Sequence, residues 1–287
     1  LAGGQQRFGN DVEQFARLVA EARGAAQELP SDTRVGIAPH SLRATCPEDL
    51  ASVLAVAEGN PIHIHIAEQP REVAEIKTWL GARPVEWLLD NAPVNDQWCL
   101  IHATHMTKDE TRDMARSGAV AGLCPVTEAN LGDGPFNGPQ YLAEGGRFGV
   151  GSDSNVRISL VEELRTLEYS QRLRDLARNV LVPGEGSVGD TLYRGAAMGG
   201  AQALGRDAGR LEVGALADLV AIDRNHPALF GLPDGQILDG LCFAADDRSV
   251  TDVWAAGRHM VQGGRHIARD AILAHYRTAI SDLLAAM

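Results

Sequence analysis

The chain has 287 residues, 45% of them hydrophobic, with 26 basic against 38 acidic side chains and a net charge of −12. That apolar content fills a sizeable core and excludes a disordered chain, while the negative field excludes nucleic acid and anionic membrane surfaces as partners, leaving room for a small anionic substrate met by one or two arginines in a cleft. Cys46, Cys99, Cys124 and Cys242 stand far apart with no CxxC pair, which excludes a disulfide framework or zinc ribbon and fits a reduced cytoplasmic setting.

The first ten residues are polar and glycine-rich, without a signal-peptide pattern, and no apolar run is long enough to span a bilayer, so a soluble protein is expected. The absence of an initiating Met suggests that an upstream segment is missing. Residues 12–29 have the apolar spacing of an amphipathic helix, and residues 34–39 read as a strand. Thr45 and Glu48 form a capping box opening a helix through Gly59, and residues 61–66 are the next strand. The cycle repeats with helices at 72–80 and 85–89, a strand at 98–102, and a second capping box at Thr107 and Glu110 whose helix stops at Gly118. A strand at 119–124 leads into a Gly/Pro/Asn-rich loop to Gly138, then a strand at 147–151 and a long helix capped by Ser159 and Glu162.

This alternation is the pattern of βα units around a parallel sheet. Five strands are too few to close an eight-stranded barrel, so three βα units are missing. The expected fold is α/β, an incomplete TIM-like (β/α) barrel over residues 1–205. Past a helical stretch at 190–204, glycine-punctuated strands at 209–223 and 250–264 lack crossover helices and predict a small β subdomain over 206–266. A helix within 267–287 closes the chain.

Five of the nine histidines fall between positions 40 and 105, at strand ends, where reactive groups converge in a parallel barrel. His63 and His65 share one face of a strand, and Glu68 follows just past its end. A histidine so placed can hold a metal while the carboxylate moves protons from the metal's water; the same spacing also suits histidines that fill a barrel layer or bond backbone carbonyls. His102 ends the next strand and Asp153 the last. An aspartate there can ligate a metal and take the proton from its water, or cap a turn beside Ser and Asn. His105, in a loop, reads as structural. Histidine, histidine and aspartate at the ends of three successive strands, with Glu68 beside them, favour the metal reading.

His65-x-x-Glu68, then His102, then Ser152-Asp153 resemble the later half of the amidohydrolase superfamily pattern, in which strand 5 supplies a histidine, strand 6 a histidine and strand 8 an aspartate. More narrowly, four segments are similar to the formimidoylglutamate deiminases of histidine breakdown. They are Ala38-Pro-His-Ser-Leu-Arg43, His63-Ile-His-Ile-Ala-Glu-Gln69, Cys124-Pro-Val-Thr-Glu-Ala-Asn-Leu-Gly-Asp-Gly134 and Gly149-Val-Gly-Ser-Asp-Ser-Asn155. The third discriminates best, because related purine and triazine deaminases usually carry Ser-Asn after Cys-Pro.

The resemblance implies a metal-dependent hydrolase barrel with strands 4 to 8 present. It implies one zinc per chain, held by His65, Asp153 and two histidines of a strand-1 HxH motif. Glu68, His102 and Asp153 become the catalytic groups, and His40 and Arg43 contact the substrate. Arg43 offers a bidentate fork for a glutamate carboxylate, or it is a solvated loop arginine; Glu128 and Asn130 read as loop-shaping residues. The implied reaction converts N-formimidoyl-L-glutamate to N-formyl-L-glutamate and ammonia. Hydroxide from the zinc-bound water attacks the formimidoyl carbon, and Glu68 passes the water proton to the leaving nitrogen. His102 polarises the amidine, and Asp153 holds the metal and accepts a proton.

The strand-1 HxH is absent from these residues, and His63-Ile-His65, followed by only three further strands, does not stand in for it. Two ligands are fewer than a catalytic zinc's usual three, so this chain alone is expected to be inactive, and its open sheet edge invites aggregation. Two alternatives stay open: another deaminase of the superfamily, acting on a purine, pyrimidine or triazine, and a non-catalytic barrel remnant. Acidic composition and the resemblance together suggest a homodimer.

Overall fold

A computed structural model describes residues 7–154, 157–182, 184 and 186–286. Asn155 of the last motif, and the first six residues of the start, lie outside the described residues. α1 (Val12–Ala26) is opened by Asp11, whose carboxylate accepts the N–H of Gln14 at 2.7 Å, and ends three residues before the expected 29. α2 (Pro47–Ala55) starts at Cys46, not at Thr45, and no side chain caps it. The expected Thr45–Glu48 box is therefore not made; Pro47 in the first turn supplies the start instead, since its missing N–H is one that would go unbonded there.

β1 (Ile62–Ile66), α3 (Pro70–Leu80), α4 (Pro84–Asn91) and β2 (Trp98–His102) follow. α5 (Lys108–Ser117) carries the expected reciprocal cap, with Glu110 N–H on Thr107 Oγ1 at 3.1 Å and Thr107 N–H on Glu110 Oε2 at 2.7 Å, and it stops at Gly118 with φ 86°. After β3 (Val120–Leu123) the expected loop contains a helix, α6 (Pro125–Leu131). Its proline and glycine are not loop signals: Pro125 occupies the first turn and Gly132, with φ 75°, is the left-handed stop. α7 (Gly138–Ala143), β4 (Arg147–Val150), α8 (Leu160–Asp175) and α9 (Val188–Ala203) complete this part.

β1 to β4 form one parallel sheet in sequence order, with Ile66 opposite His102 and Leu123 opposite Val150. The fifth strand, expected at residues 34–39, is reduced to two isolated parallel bridges, Ile37 to Ile62 and Ser41 to His65. Pro39 lies between them and has no N–H to give a ladder. Ile64, Ile66, Leu100 and Leu123 point into a core that α3, α4 and α5 close with Ile76, Leu88 and Met114, all buried. On the far side α9 lies almost backbone to backbone on β4, and a Cβ on Gly199 would stand 1.9 Å from the carbonyl oxygen of Phe148.

A second, antiparallel sheet runs β5 (Leu219–Ile222), β6 (Val250–Ala255), β7 (Arg258–Gln262) and β8 (Arg265–His266). Between β5 and β6 the chain forms α10 (Ile237–Phe243), which packs on α8 and α9. α11 (Arg269–Ala285) ends the chain with no buried side chain. Asp32, past α1, ties these parts: Arg258 of β7 holds its two oxygens at 2.7 and 2.8 Å, and Arg206, beyond α9, adds a bond at 3.0 Å. The Arg258 hydrogen bonds, then those of Arg206, hold the Asp32 carboxyl well below the ordinary range. Among the described residues no helix is long and apolar enough to cross a membrane.

Two measurements check this packing. Gly199→Ala should destabilise by about 1–3 kcal/mol, because neither backbone can retreat. Gly24→Ala, in an exposed helix interior where an added Cβ meets nothing within 4 Å, should stabilise by roughly 0.5–1 kcal/mol; urea midpoints read both. Asp32 titrates lower in the folded than in the unfolded chain, so its contribution is complete above the ordinary value of 3.8 and is lost as pH falls through the lower folded value. Asp32→Asn should therefore lower Tm at neutral pH, with the gap narrowing in acid; a gap constant with pH would contradict this role.

Candidate active site

Where the parallel strands end, the backbone turns sharply. Ala67 (φ 50°), His102 (69°), Ala103 (49°) and Asp153 (50°) all take left-handed conformations without being glycine. Each costs of order 1 kcal/mol or more; His102 is the last residue of β2, and the other three follow β1, β2 or β4 on the same rim. The rim borders a cavity of about 1010 Å³ lined by His40, Arg43, His65, Glu68, His102 and Asp153. These are the six residues expected from the sequence.

His65 is oriented by a carbonyl. The oxygen of His40 accepts the His65 backbone N–H at 3.0 Å and lies 2.8 Å from its Nδ1. A carbonyl only accepts, so Nδ1 carries the proton and Nε2 keeps its lone pair. The His40 ring lies 5.0 Å from that of His65, and the His102 ring stacks on it at 5.6 Å. Burial, then the neighbouring His65 and Arg43, lower the pKa of His40. His63, on the same strand face, instead reaches Ala203 O at the end of α9 at 2.7 Å and does not line the cavity. His105 likewise bonds a backbone oxygen, that of Asp133, at 2.7 Å.

Glu68 pairs with Arg43, Oε2 to Nη2, at 3.2 Å, and its Oε1 lies 3.8 Å from His102 Nε2. Its backbone is held from below. Buried Glu72 accepts the N–H of Ala67 at 3.0 Å and of Glu68 at 2.8 Å, and Arg43 stands 3.9 Å from it. Sequence reading missed this residue, although a signal exists: Glu72 is the third residue of a helix opened by Pro70, where an acidic side chain reaches back over the helix start.

His102 is 1% exposed; its Nδ1 lies 3.2 Å from Glu128 Oε1, and its Nε2 faces Asp153 Oδ2 at 4.0 Å. Burial alone pulls its pKa down, but the hydrogen bond with Glu128 and the charges of Glu68, Glu128 and Asp153 outweigh it, and the net direction is up. Asp153 uses Oδ1 to accept the N–H of Ser154 at 2.6 Å, the turn-capping role, while Oδ2 faces the cavity side. Among the described residues His102, Cys124 and Asp153 offer three donor atoms within 4.8 Å of one another. His65 is not in that set. With no ion beside it, the Cys124 thiol is pushed far up by burial, then by Glu128, Asp153 and Glu163.

A bare imidazole nitrogen, two carboxylates and a second histidine around one cavity can hold a divalent cation and move protons beside it. The sequence of the amidohydrolase family matches residues 8–260. The formimidoylglutamate deiminase of Pseudomonas aeruginosa is 47% identical over 98% of this chain and 62% of its own length. Among solved structures, an amidohydrolase from Brucella melitensis is 49% identical with a TM-score of 0.92, over 99% of this chain and 62% of that one. An adenosine deaminase from Xanthomonas campestris with bound zinc is 27% identical with a TM-score of 0.84, over 95% and 62%. The chain thus spans about three-fifths of the length of these relatives. With its reactive side chains gathered on the carboxyl rim of a parallel sheet and the family's sequence running through 8–260, the chain belongs to the amidohydrolase family.

Proposed function

We propose that this chain is part of a zinc-dependent deiminase that hydrolyses N-formimidoyl-L-glutamate to N-formyl-L-glutamate and ammonia in histidine degradation. One observation carries the reading: the bare Nε2 of His65, the carboxylates of Glu68 and Asp153, and Arg43 line the same cavity. The 47% identity to a formimidoylglutamate deiminase supports the substrate. In this reading residues 1–205 are an incomplete (β/α)8 barrel, strands 4 to 8, with a small β subdomain over 206–266 and a terminal helix in 267–287. The protein is cytoplasmic and homodimeric, and it binds neither nucleic acid nor membrane.

The donors present fit zinc in kind. His65 offers a lone pair on a ring already locked by its other nitrogen, and Asp153 keeps one oxygen clear of its turn-capping bond. Two donors are too few for a catalytic site, and the proposal assigns the others to a histidine pair beyond these residues, for one zinc per chain. A bound zinc supplies a water acidic enough to react near neutral pH. Glu68 takes a proton from the attacking water as the oxygen adds to the formimidoyl carbon, and returns it to the nitrogen that departs as ammonia. His102, its Nε2 aimed between Glu68 and Asp153, stabilises the charge that develops on the amidine. Asp153 would hold the metal and accept the second proton, which passes on to the same nitrogen, so that =NH gains both protons of the water and departs as ammonia. Arg43 and His40 receive the glutamate end, with Arg43 sharing its fork between the substrate carboxylate and Glu68. A second reading, a purine deaminase, is supported by the zinc-bearing adenosine deaminase that shares this fold.

Joined to the segment its relatives carry beyond these residues, the polypeptide should release ammonia from N-formimidoyl-L-glutamate and not from adenosine or guanine; turnover of a purine instead would overturn the assignment. In that longer protein Glu68→Gln should lower kcat by about 10²–10⁴-fold, and Arg43→Met should raise KM with a smaller effect on kcat. Elemental analysis after dialysis should find about one zinc in the longer protein, far less in the 287-residue chain, and none after His65→Ala.

A further inference from the structure

Glu128 takes no part in the reaction just described, yet it is 6% exposed and in contact with its most buried histidine. It stands one turn into α6, and one of its oxygens, Oε1, meets two groups: the backbone N–H of Cys124 at 3.1 Å and Nδ1 of His102 at 3.2 Å. The Cys124 N–H can only donate, so Oε1 accepts there; burial pushes the Glu128 carboxyl up while the His102 hydrogen bond opposes it, and as the carboxylate Glu128 has no proton to give, which makes the Nδ1 sharing Oε1 the donor. Behind it Glu163, 2% exposed, accepts the N–H of Val126 at 2.9 Å, so two buried carboxylates grip the first turn of α6 and fix the origin of the Glu128 side chain. Across the ring, the carboxylates that approach His102 Nε2 among the described residues are Glu68, with Oε1 at 3.8 Å, and Asp153, with Oδ2 at 4.0 Å, both beyond hydrogen-bond distance.

We infer that Glu128 is a positioning residue: it locks His102 as the Nδ1–H form, in one ring orientation, and so presents a bare Nε2 to the cavity. The role rests on the deiminase reading only for what Nε2 meets. A carboxylate behind an imidazole sets which nitrogen is available on the other side, and partners of this kind are worth roughly 10–100-fold in affinity or activity at comparable sites. Side-chain packing alone would not require the shared oxygen, because an apolar residue could fill the same space.

The test uses the 287-residue chain labelled with ¹⁵N-histidine and a long-range proton–nitrogen correlation spectrum, taken at a pH above the raised titration of His102 itself, where the ring is neutral, with the His102 signals assigned by their loss in His102→Asn. Wild type should show a protonated Nδ1 and an unprotonated Nε2. Glu128→Gln should keep that pattern, because the Cys124 N–H selects the amide oxygen for the shared position, whereas Glu128→Leu should lose it. A wild-type proton on Nε2, a reversed pattern in Glu128→Gln, or an unchanged one in folded Glu128→Leu would each overturn the inference. Should Glu128→Leu fail to fold, the wild-type and Glu128→Gln spectra decide alone. A longer protein that released no ammonia would remove the deiminase reading and leave this spectrum, and the positioning role, standing.

Discussion

The carbonyl oxygen of His40 does two things at once. It pairs the 37–41 segment with β1 by accepting the His65 N–H, and it fixes the His65 ring by accepting from Nδ1. Ile37 adds two backbone bonds to the same pairing, with Pro61 O and the His63 N–H, but the aim of the His65 ring on that wall of the cavity rests on the His40 oxygen. His63 shows what the same strand face does without it: two residues earlier, its ring meets Ala203 O on α9 and serves packing. On one strand, which carbonyl lies within reach separates a candidate ligand from a structural histidine.

Around that wall an acidic chain concentrates more acid. Glu68, Glu128 and Asp153 all approach His102 within 4.0 Å, and Glu72 lies buried beneath them. Each carboxylate is paired with a donor: backbone N–H groups for Glu72, Glu128 and Asp153, and Arg43 for Glu68. Buried carboxylates persist only with such partners. Glu163, pushed up to about 7 by burial, keeps one oxygen without a hydrogen bond, the least satisfied acid of the group. The left-handed residues at the strand ends add local strain to this charge, and both point to a rim built for chemistry at some cost to stability.

Much of this was legible in the sequence where local rules decide. β2 runs from Trp98 to His102 as read, because its apolar run is bounded on both sides, and the Thr107–Glu110 cap is made as read. The six site residues meet in one cavity because strand ends in a parallel register fall on one rim, a consequence of topology more than of any motif. Failures came where one signal has two meanings. Pro125 and Gly132 punctuate a short helix, not a loop, and Pro39 interrupts a strand that β-branched neighbours suggest. The Glu128–His102 contact spans 26 positions, so no local pattern reveals it; it exists only once β2 and α6 are adjacent.

We propose that His65 Nε2 and Asp153 hold the metal on this rim. Anomalous diffraction at the zinc edge, from zinc-soaked crystals of the longer protein, locates the ion. The expected result is a peak within coordinating distance of both His65 Nε2 and an Asp153 oxygen. A peak among His102, Cys124 and Asp153 with His65 left bare would contradict it.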